Sequence, residues 1–407
     1  MVSREIKVHR GTQGSEDDTR FVSLSSDCII RMIEMPHIYH LEKDELYELD
    51  QEAFEFLIRC DGSHQLKELH PDPDFFRFCL EEGLLQLRAE RHNNPLASEP
   101  ISLLSPSLRY LEVQITSRCN LKCRHCLLAS VSSQDLSVSD IRQVVTEFNH
   151  LQGLKVIVSG GEPLMHPEID EILDTLKGFH LRKILLTNGT LITPPMIPRL
   201  KGIQEIQISL DGLRKGHEHL RGEGTFDKTI EAIRLCRRHG FQVSAATMLH
   251  RQNLDEIEQL SALLRELGVQ GWGIDVPFDL KAGIQDRFFG LSLEEAASYL
   301  RFAFGGSFHG GTEGFGCGRH LCTVLPDGRV CKCDFYAENP VGHISEGLAR
   351  CWARLTHTPL SRLECRDCAH AEECGGGCRK RAGSELGADP VMCAYYHQKL
   401  PASQGKH

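Results

Sequence analysis

Within the stretch SRCNLKCRHC, Cys119, Cys123 and Cys126 stand at a C-x3-C-x2-C spacing that has no fourth cysteine beside it. A closed iron–sulfur or structural zinc site takes four protein ligands. A fold that carries this loop must therefore present three thiols together and leave one position for something else. The remaining cysteines sharpen the constraint. Of 17 in the chain of 407 residues, ten fall between Cys317 and Cys393. Four others, Cys28, Cys60, Cys79 and Cys236, are scattered in apolar surroundings and read as core packing. Cysteines clustered at short spacing in a cytosolic chain point to metal or redox sites rather than disulfides. The opening MVSREIKVHRGTQGSEDD lacks the apolar core of a signal peptide, and no stretch approaches the ~18 apolar residues of a membrane span. The expectation is a cytoplasmic protein with no membrane partner. A net charge of −10 without a basic stripe argues against nucleic acid.

The hydrophobic pattern divides the chain. Residues 1–25 are polar and expected to be a disordered tail. CIIRMIEMPHIYHLEKDELYEL, 28–49, reads as three short strands with turns at Pro36 and at EKDE. A helix capped by Asp50 follows, with Ala53, Phe54, Leu57 and Ile58 on its apolar face, and then a second from about Asp74 to Leu84. This makes a small α+β, winged-helix-like domain over 26–88, and the proline-containing stretch 89–108 reads as a linker. From 109 to 304 the pattern is α/β. Apolar runs at 111–115, 154–160, 183–189, 205–212, 243–249 and 271–278 alternate with amphipathic helices, such as the one carrying Ile141, Val144, Val145 and Phe148. Six strand–helix units predict a parallel sheet curved into a partial (β/α)6, TIM-like barrel, with functional residues at the C-terminal strand ends. The three cysteines follow the first strand. A glycine-rich connector, 305–316, leads to a loop-rich, cysteine-dense segment over 317–400.

Three thiolates can hold three irons of a [4Fe–4S] cluster and leave the fourth open. This spacing resembles the radical S-adenosylmethionine (SAM) superfamily. The likeness continues in His125, in Gly160, Gly161, Glu162 and Pro163 as GGEP after the second strand, and in SLDG after the fourth. The resemblance implies that Cys119, Cys123 and Cys126 hold the cluster. It also implies SAM contacts at His125, Gly160, Gly161, Glu162, Pro163, Ser209 and Asp211, with Arg221 as a partner for the SAM carboxylate.

The C-terminal spacing, Cys317, Gly328, Cys333, then Cys365-x2-Cys368-x5-Cys374-x3-Cys378 and Cys393, resembles the seven-cysteine SPASM extension. That resemblance implies two auxiliary [4Fe–4S] clusters, for three in all. Cys317, Cys322, Cys333 and Cys378 are assigned to the first, with Cys331 as the alternative to Cys322. Cys365, Cys368, Cys374 and Cys393 are assigned to the second. Should neither Cys322 nor Cys331 ligate, the first cluster has an open iron. Asp334 follows a ligand where sulfatase-maturing relatives carry a proposed catalytic base.

The first hundred residues resemble a PqqD-like peptide-recognition domain. The implied leader-binding edge is the third strand, Glu45, Leu46, Tyr47, Glu48 and Leu49, where a peptide adds as a further strand. Together these resemblances imply a radical SAM/SPASM maturase of the sactipeptide or ranthipeptide type. Its partners are a precursor peptide and a reductant such as flavodoxin or ferredoxin, and its expected reaction is a crosslink, with a cysteine thioether first. The alternatives are a carbon–carbon or carbon–oxygen crosslink, a sulfatase or tetrapyrrole substrate, or a non-enzymatic iron–sulfur sensor.

Overall fold

The computed structural model describes residues 4–5, 19–92, 104–126, 133–277, 290–305 and 318–399. The chain divides into two units. One comprises Met1–Tyr110 with Thr146–Lys155 and Phe179–Arg182, and the other holds the rest.

The first unit is built on two small sheets. Strands β1 (Arg4–Glu5), β3 (Cys28–Ile33), β4 (Met35–His40) and β5 (Glu45–Glu48) form one in the order β1–β5–β4–β3. Strands β2 (Phe21–Leu24), β6 (Asp61–Gln65) and β7 (Leu85–Arg88) form the other in the order β6–β2–β7. The helix Gln51–Leu57 starts where Asp50 accepts from Ala53 N at 2.8 Å. The helix Pro73–Glu81 starts where Asp72 accepts from Phe75 N at 2.8 Å. Side-chain caps of this kind satisfy amides that the first turn leaves open. Both sheets contribute to one core, with Val22, Ile30, Ile38, Tyr47, Leu57 and Cys79 all buried.

Several expectations change here. The disordered tail does not reach residue 25, because Phe21–Leu24 is a central strand with Val22 and Leu24 in the core. Its short, polar-flanked run lacks a period long enough to read as a strand alone. The turn after β3 falls at Glu34, at φ 51, and Pro36 lies within β4 opposite Met32. The far end of the expected linker is packed rather than loose: Ser107 N and Arg109 Nη2 donate to the Glu34 carboxylate at 2.7 and 2.8 Å. The middle of that linker and the connector after Gly305 lie outside the described residues.

The edge of β5, expected to be free, already carries a strand. β1 runs parallel to it, with Arg4 opposite Tyr47 and Glu5 opposite Glu48. An exposed strand edge presents unpaired N–H and C=O groups that accept an extended backbone.

The second unit carries a nine-stranded sheet. It comprises β8 (Tyr110–Thr116), β9 (Lys155–Gly160), β10 (Arg182–Thr187), β11 (Glu205–Ser209), β12 (Gln242–Met248), β13 (Gly271–Asp275), β14 (Leu321–Val324), β15 (Arg329–Cys331) and β16 (Gly342–His343). The order is β13–β12–β11–β10–β9–β8–β14–β15–β16. The pairs from β10 to β13 are parallel, as the strand–helix alternation predicts. The helix Val138–His150 buries the expected Ile141, Val144, Val145 and Phe148. The cysteine-dense segment is more ordered than its loop-rich composition suggested. Its strands β14–β16 extend the sheet beyond β8, with β14, β15 and β16 antiparallel in turn. No helix among the described residues is long and apolar enough to cross a membrane.

Removing residues 1–18 should leave the first unit folded, because the core formed by its described residues begins at Val22. Amide exchange by mass spectrometry should then be faster along Tyr47–Glu48 than in the full chain. Unchanged protection there would contradict the pairing of β1 with β5.

Candidate active site

The cysteine loop is shaped by the strand ends around it. Gly161 N donates to Thr116 O at 2.8 Å and Glu162 N to Arg118 O at 2.7 Å, tying the end of β9 to the loop after β8. This approach leaves no room for a side chain. A Cβ on Gly160 would lie 2.2 Å from Thr116 O, and one on Gly161 would lie 2.4 Å from Arg118 O. Gly160 also sits at φ +139, a backbone region that other residues rarely adopt. The loop is further pinned where Arg118 pairs with Asp135 at 2.8 Å.

Held this way, Cys119, Cys123 and Cys126 line one cavity of about 540 Å³. Around the sulfurs stand donors that suit thiolates. Leu121 N donates to Cys119 Sγ at 3.4 Å, and Asn188 Nδ2 and Arg221 Nη1 approach Cys119 and Cys123 at 4.0 Å. Burial pushes the Cys123 thiol up to about 11, with the Arg221 cation acting against it. No three sulfur, imidazole or carboxylate groups among the described residues converge on a single-ion site. A cluster in which each iron takes its own thiolate does not require that convergence. The donor set thus fits a [4Fe–4S] cluster held by three cysteines.

His125, Gly160, Gly161, Ser209 and Arg221 line the same cavity. Glu162 and Asp211 are not among its lining and are fully buried. The Glu162 carboxylate accepts from Thr187 Oγ1 and Asn188 N, both at 2.8 Å, and from Leu164 N at 3.2 Å, so it joins the ends of β9 and β10. Burial raises its carboxyl, and these bonds act against that. Pro163 is buried at the start of the turn that follows. Asp211 bonds Arg221 and accepts from Met248 N at 2.8 Å. Burial would raise the Asp211 carboxyl, but the Arg221 guanidinium together with His125 and His217 outweighs it and holds the group at about 2. Asp211 thereby orients Arg221 toward Cys123.

Sequence reasoning missed Asn188, whose amide also donates to Asn120 Oδ1 at 3.0 Å. The signal was the polar TNGT closing the third strand. It also missed Glu112, Gln114 and Ser159, which line the cavity. Ser159 Oγ donates to Glu112 Oε1 at 2.5 Å, and Asp334 hydrogen-bonds to Glu112 and Gln114. Burial raises the Asp334 carboxyl far above the usual range, and the neighbouring Glu112 charge adds to it.

In the cysteine-dense segment Cys333 lies near Cys378, while Cys365, Cys368, Cys374 and Cys393 lie within electrostatic reach of one another. Cys322 departs from its expected place. It is fully buried on β14 with Cys351 as a neighbour. Cys331 pairs opposite Thr323, which puts Cys331 on the other face of the hairpin from Cys322. The Cys331 thiol is also fully buried and donates to Thr323 O and Cys333 O. Burial on β14 and β15 takes up these two thiols, one on each face of the hairpin. Cys317 lies outside the described residues.

Residues 113–264 match the Radical SAM superfamily, so this part of the chain is a radical SAM domain. Among curated proteins, the mycofactocin maturase MftC of Mycobacterium tuberculosis is 27% identical over 334 residues, covering 72% of this chain and 85% of its own. The AdoMet-dependent heme synthase of Methanosarcina barkeri is 34% identical over 173 residues, covering 41% and 50%. Among solved structures, Streptococcus suis SuiB bound to precursor peptide SuiA covers 91% of this chain and 99% of its own, at TM-score 0.65 and 18% identity. A structure of anSMEcpe with bound AdoMet covers 72% and 95%, at TM-score 0.55 and 20% identity. The described residues therefore form a mixed α/β fold with a large central parallel sheet, similar to that of SuiB and anSMEcpe.

Two predictions follow from this geometry. Gly161→Ala should displace the cysteine loop and remove roughly four irons per chain from anaerobically reconstituted protein. A full iron complement would contradict the close approach. The second concerns acid. His217 is fully buried, its Nδ1 accepts from Asp211 N at 3.1 Å, and burial lowers the imidazole to about 4. The folded value lies below the ~6.5 of an exposed imidazole. Stability should therefore be at its full value above that pH and fall as pH drops toward 4. His217→Asn keeps an acceptor for Asp211 N and should flatten the fall in melting temperature between pH 7 and 5. An unchanged slope would rule His217 out as its source.

Proposed function

We propose that the chain is a radical SAM enzyme that modifies a ribosomally made precursor peptide. The observation that carries this reading is the cavity shared by Cys119, Cys123, Cys126, Asn188, Ser209 and Arg221 at the C-terminal ends of the strands. Its likeness to the MftC maturases and to SuiB adds the peptide substrate. When bound, the cluster and SAM supply a 5′-deoxyadenosyl radical that abstracts a hydrogen from the substrate. Cys119, Cys123 and Cys126 hold the cluster. The Gly160–Gly161 backbone and Ser209 receive the SAM amine and ribose, and Arg221, oriented by Asp211, receives the carboxylate. Glu162 acts by fixing the ends of β9 and β10. As the crosslink closes it releases a proton and an electron; the electron would pass to an auxiliary cluster, and Asp334 would relay the proton through its bond to Glu112. A cysteine thioether is the first choice of product, ahead of carbon–carbon and carbon–oxygen links.

Two auxiliary [4Fe–4S] clusters belong to this reading. Cys365, Cys368, Cys374 and Cys393 hold one, while Cys317, Cys333 and Cys378 hold the other with an open iron. The burial of Cys322 supports leaving it out of the ligand set. The first unit recruits a leader along Glu45–Leu49. The pairing of β1 there supports an edge able to accept a strand, and the leader would take its place. A flavodoxin or ferredoxin in the cytoplasm would supply the electron. The heme synthase likeness favours a second reading, in which the same radical acts on a tetrapyrrole.

Reconstituted protein should hold roughly twelve irons. Replacing Cys119, Cys123 and Cys126 together by alanine should remove about four and end 5′-deoxyadenosine formation. Activity persisting in that variant would sink the mechanism. Glu48→Pro removes an N–H at the edge strand. It should spare iron content and slow SAM cleavage, yet leave the peptide encoded beside the gene unmodified by mass spectrometry. Equal modification by both enzymes would move the preference to the tetrapyrrole reading.

A further inference from the structure

The inward face of β8 is polar where a barrel interior is usually apolar. Leu111, Val113 and Ile115 alternate with Glu112 and Gln114, which line the cavity while almost fully buried, at 6% and 4% exposure. Glu112 accepts from Ser159 Oγ and Thr323 Oγ1, and Asp334 bonds to it as well. Two acceptors remain. Gln114 Oε1 and Asp334 Oδ1 are buried and meet no donor among the described residues. An unmet buried acceptor is costly, and both belong to residues that line the cavity, where a ligand can bring a donor.

Charge narrows the donor. Two carboxyl groups meet here with no cation paired to either among the described residues, an arrangement that favours a cationic partner. The arginines lining the cavity are committed elsewhere, Arg221 to Asp211 and Arg329 to Asp327. The sheet order also sets this corner apart from the expected SAM contact Ser209, while the Glu112–Ser159 bond places it beside Gly160. Ser209 ends β11, whereas Thr323 lies in β14 and Asp334 follows β15, on the far side of β8. The corner exists because the C-terminal segment extends the sheet there.

We infer that this corner docks a cationic side chain of the substrate, an ammonium or guanidinium, between Glu112 and Asp334, with Gln114 Oε1 taking a further N–H. The inference rests on the reading of the cavity as the place where SAM and substrate meet. Charge-assisted bonds of this kind are about twice as strong as neutral ones and shorter. Leu121 and Leu325, which line the same cavity, suit an aliphatic stem. The site thus selects for a basic residue in the part of the substrate that enters the cavity.

The test is equilibrium dialysis of the full-length, anaerobically reconstituted protein with SAM present. The probes are Nα-acetyl-lysine N-methylamide and its uncharged counterpart Nα-acetyl-norleucine N-methylamide. The lysine compound should bind about tenfold more tightly or better. Glu112→Gln should erase that preference while SAM binding stays. Gln114→Met, which removes the acceptor and leaves the carboxyl groups, should reduce it several-fold and serves where Glu112→Gln fails to load its clusters. Equal binding of the two probes by wild-type protein that binds and cleaves SAM would overturn the inference and leave the radical SAM reading standing. So would a preference untouched by the substitutions. Wild-type protein that does not cleave SAM would remove the reading and the inference together.

Discussion

The site depends on a contact between two stretches of backbone. Where β9 ends, Gly160 and Gly161 press against Thr116 and Arg118, and two amides bond across the gap. A side chain at either glycine would occupy the carbonyl oxygens of the cysteine loop. The contact sets where the loop leaves the sheet, and so where its three thiols point. It also begins the turn that buries Glu162, whose carboxylate gathers an amide and a hydroxyl from the end of β10. The glycines thus work first as packing.

Around that contact the cavity accepts charge and polarity that a purely structural barrel would exclude. Arg221 lines it and pairs with the fully buried Asp211 behind, and His217 lies against the Asp211 amide. Buried pairs of this kind add little to stability compared with apolar packing, and breaking one is expensive. The chain keeps these groups where cofactor and substrate are read to meet. The apolar side of each strand faces the helices, as the buried Ile141, Val144, Val145 and Phe148 illustrate.

Much of this was legible in the sequence because local pattern and tertiary role coincide. Six apolar runs and the helices between them read correctly, since a parallel sheet buries both faces and leaves a strong signal. The cysteines read correctly as a loop at a strand end, and most of the expected SAM contacts do line the cavity. What escaped depends on distance in sequence. Phe21–Leu24 is a strand only because β6 and β7, far along the chain, flank it. Cys322 matches a ligand spacing but faces the core, since strand facing is fixed by pairing with β15 and not by spacing. Glu112 and Gln114 read as ordinary strand polarity until Thr323 and Asp334 arrive beside them from two hundred residues away. Glu162 and Asp211 read as ligand contacts, whereas their carboxylates are taken up by neighbouring backbone and by Arg221.

The central claim is that a cluster held by Cys119, Cys123 and Cys126 binds SAM at its open position. Electron paramagnetic resonance of the dithionite-reduced protein, recorded with and without SAM, tests it most directly. The account predicts that SAM changes the signal of one cluster, and that this component is missing when the three cysteines are replaced by alanine. A spectrum that SAM leaves unaltered, or a SAM-sensitive signal that survives those replacements, would contradict it.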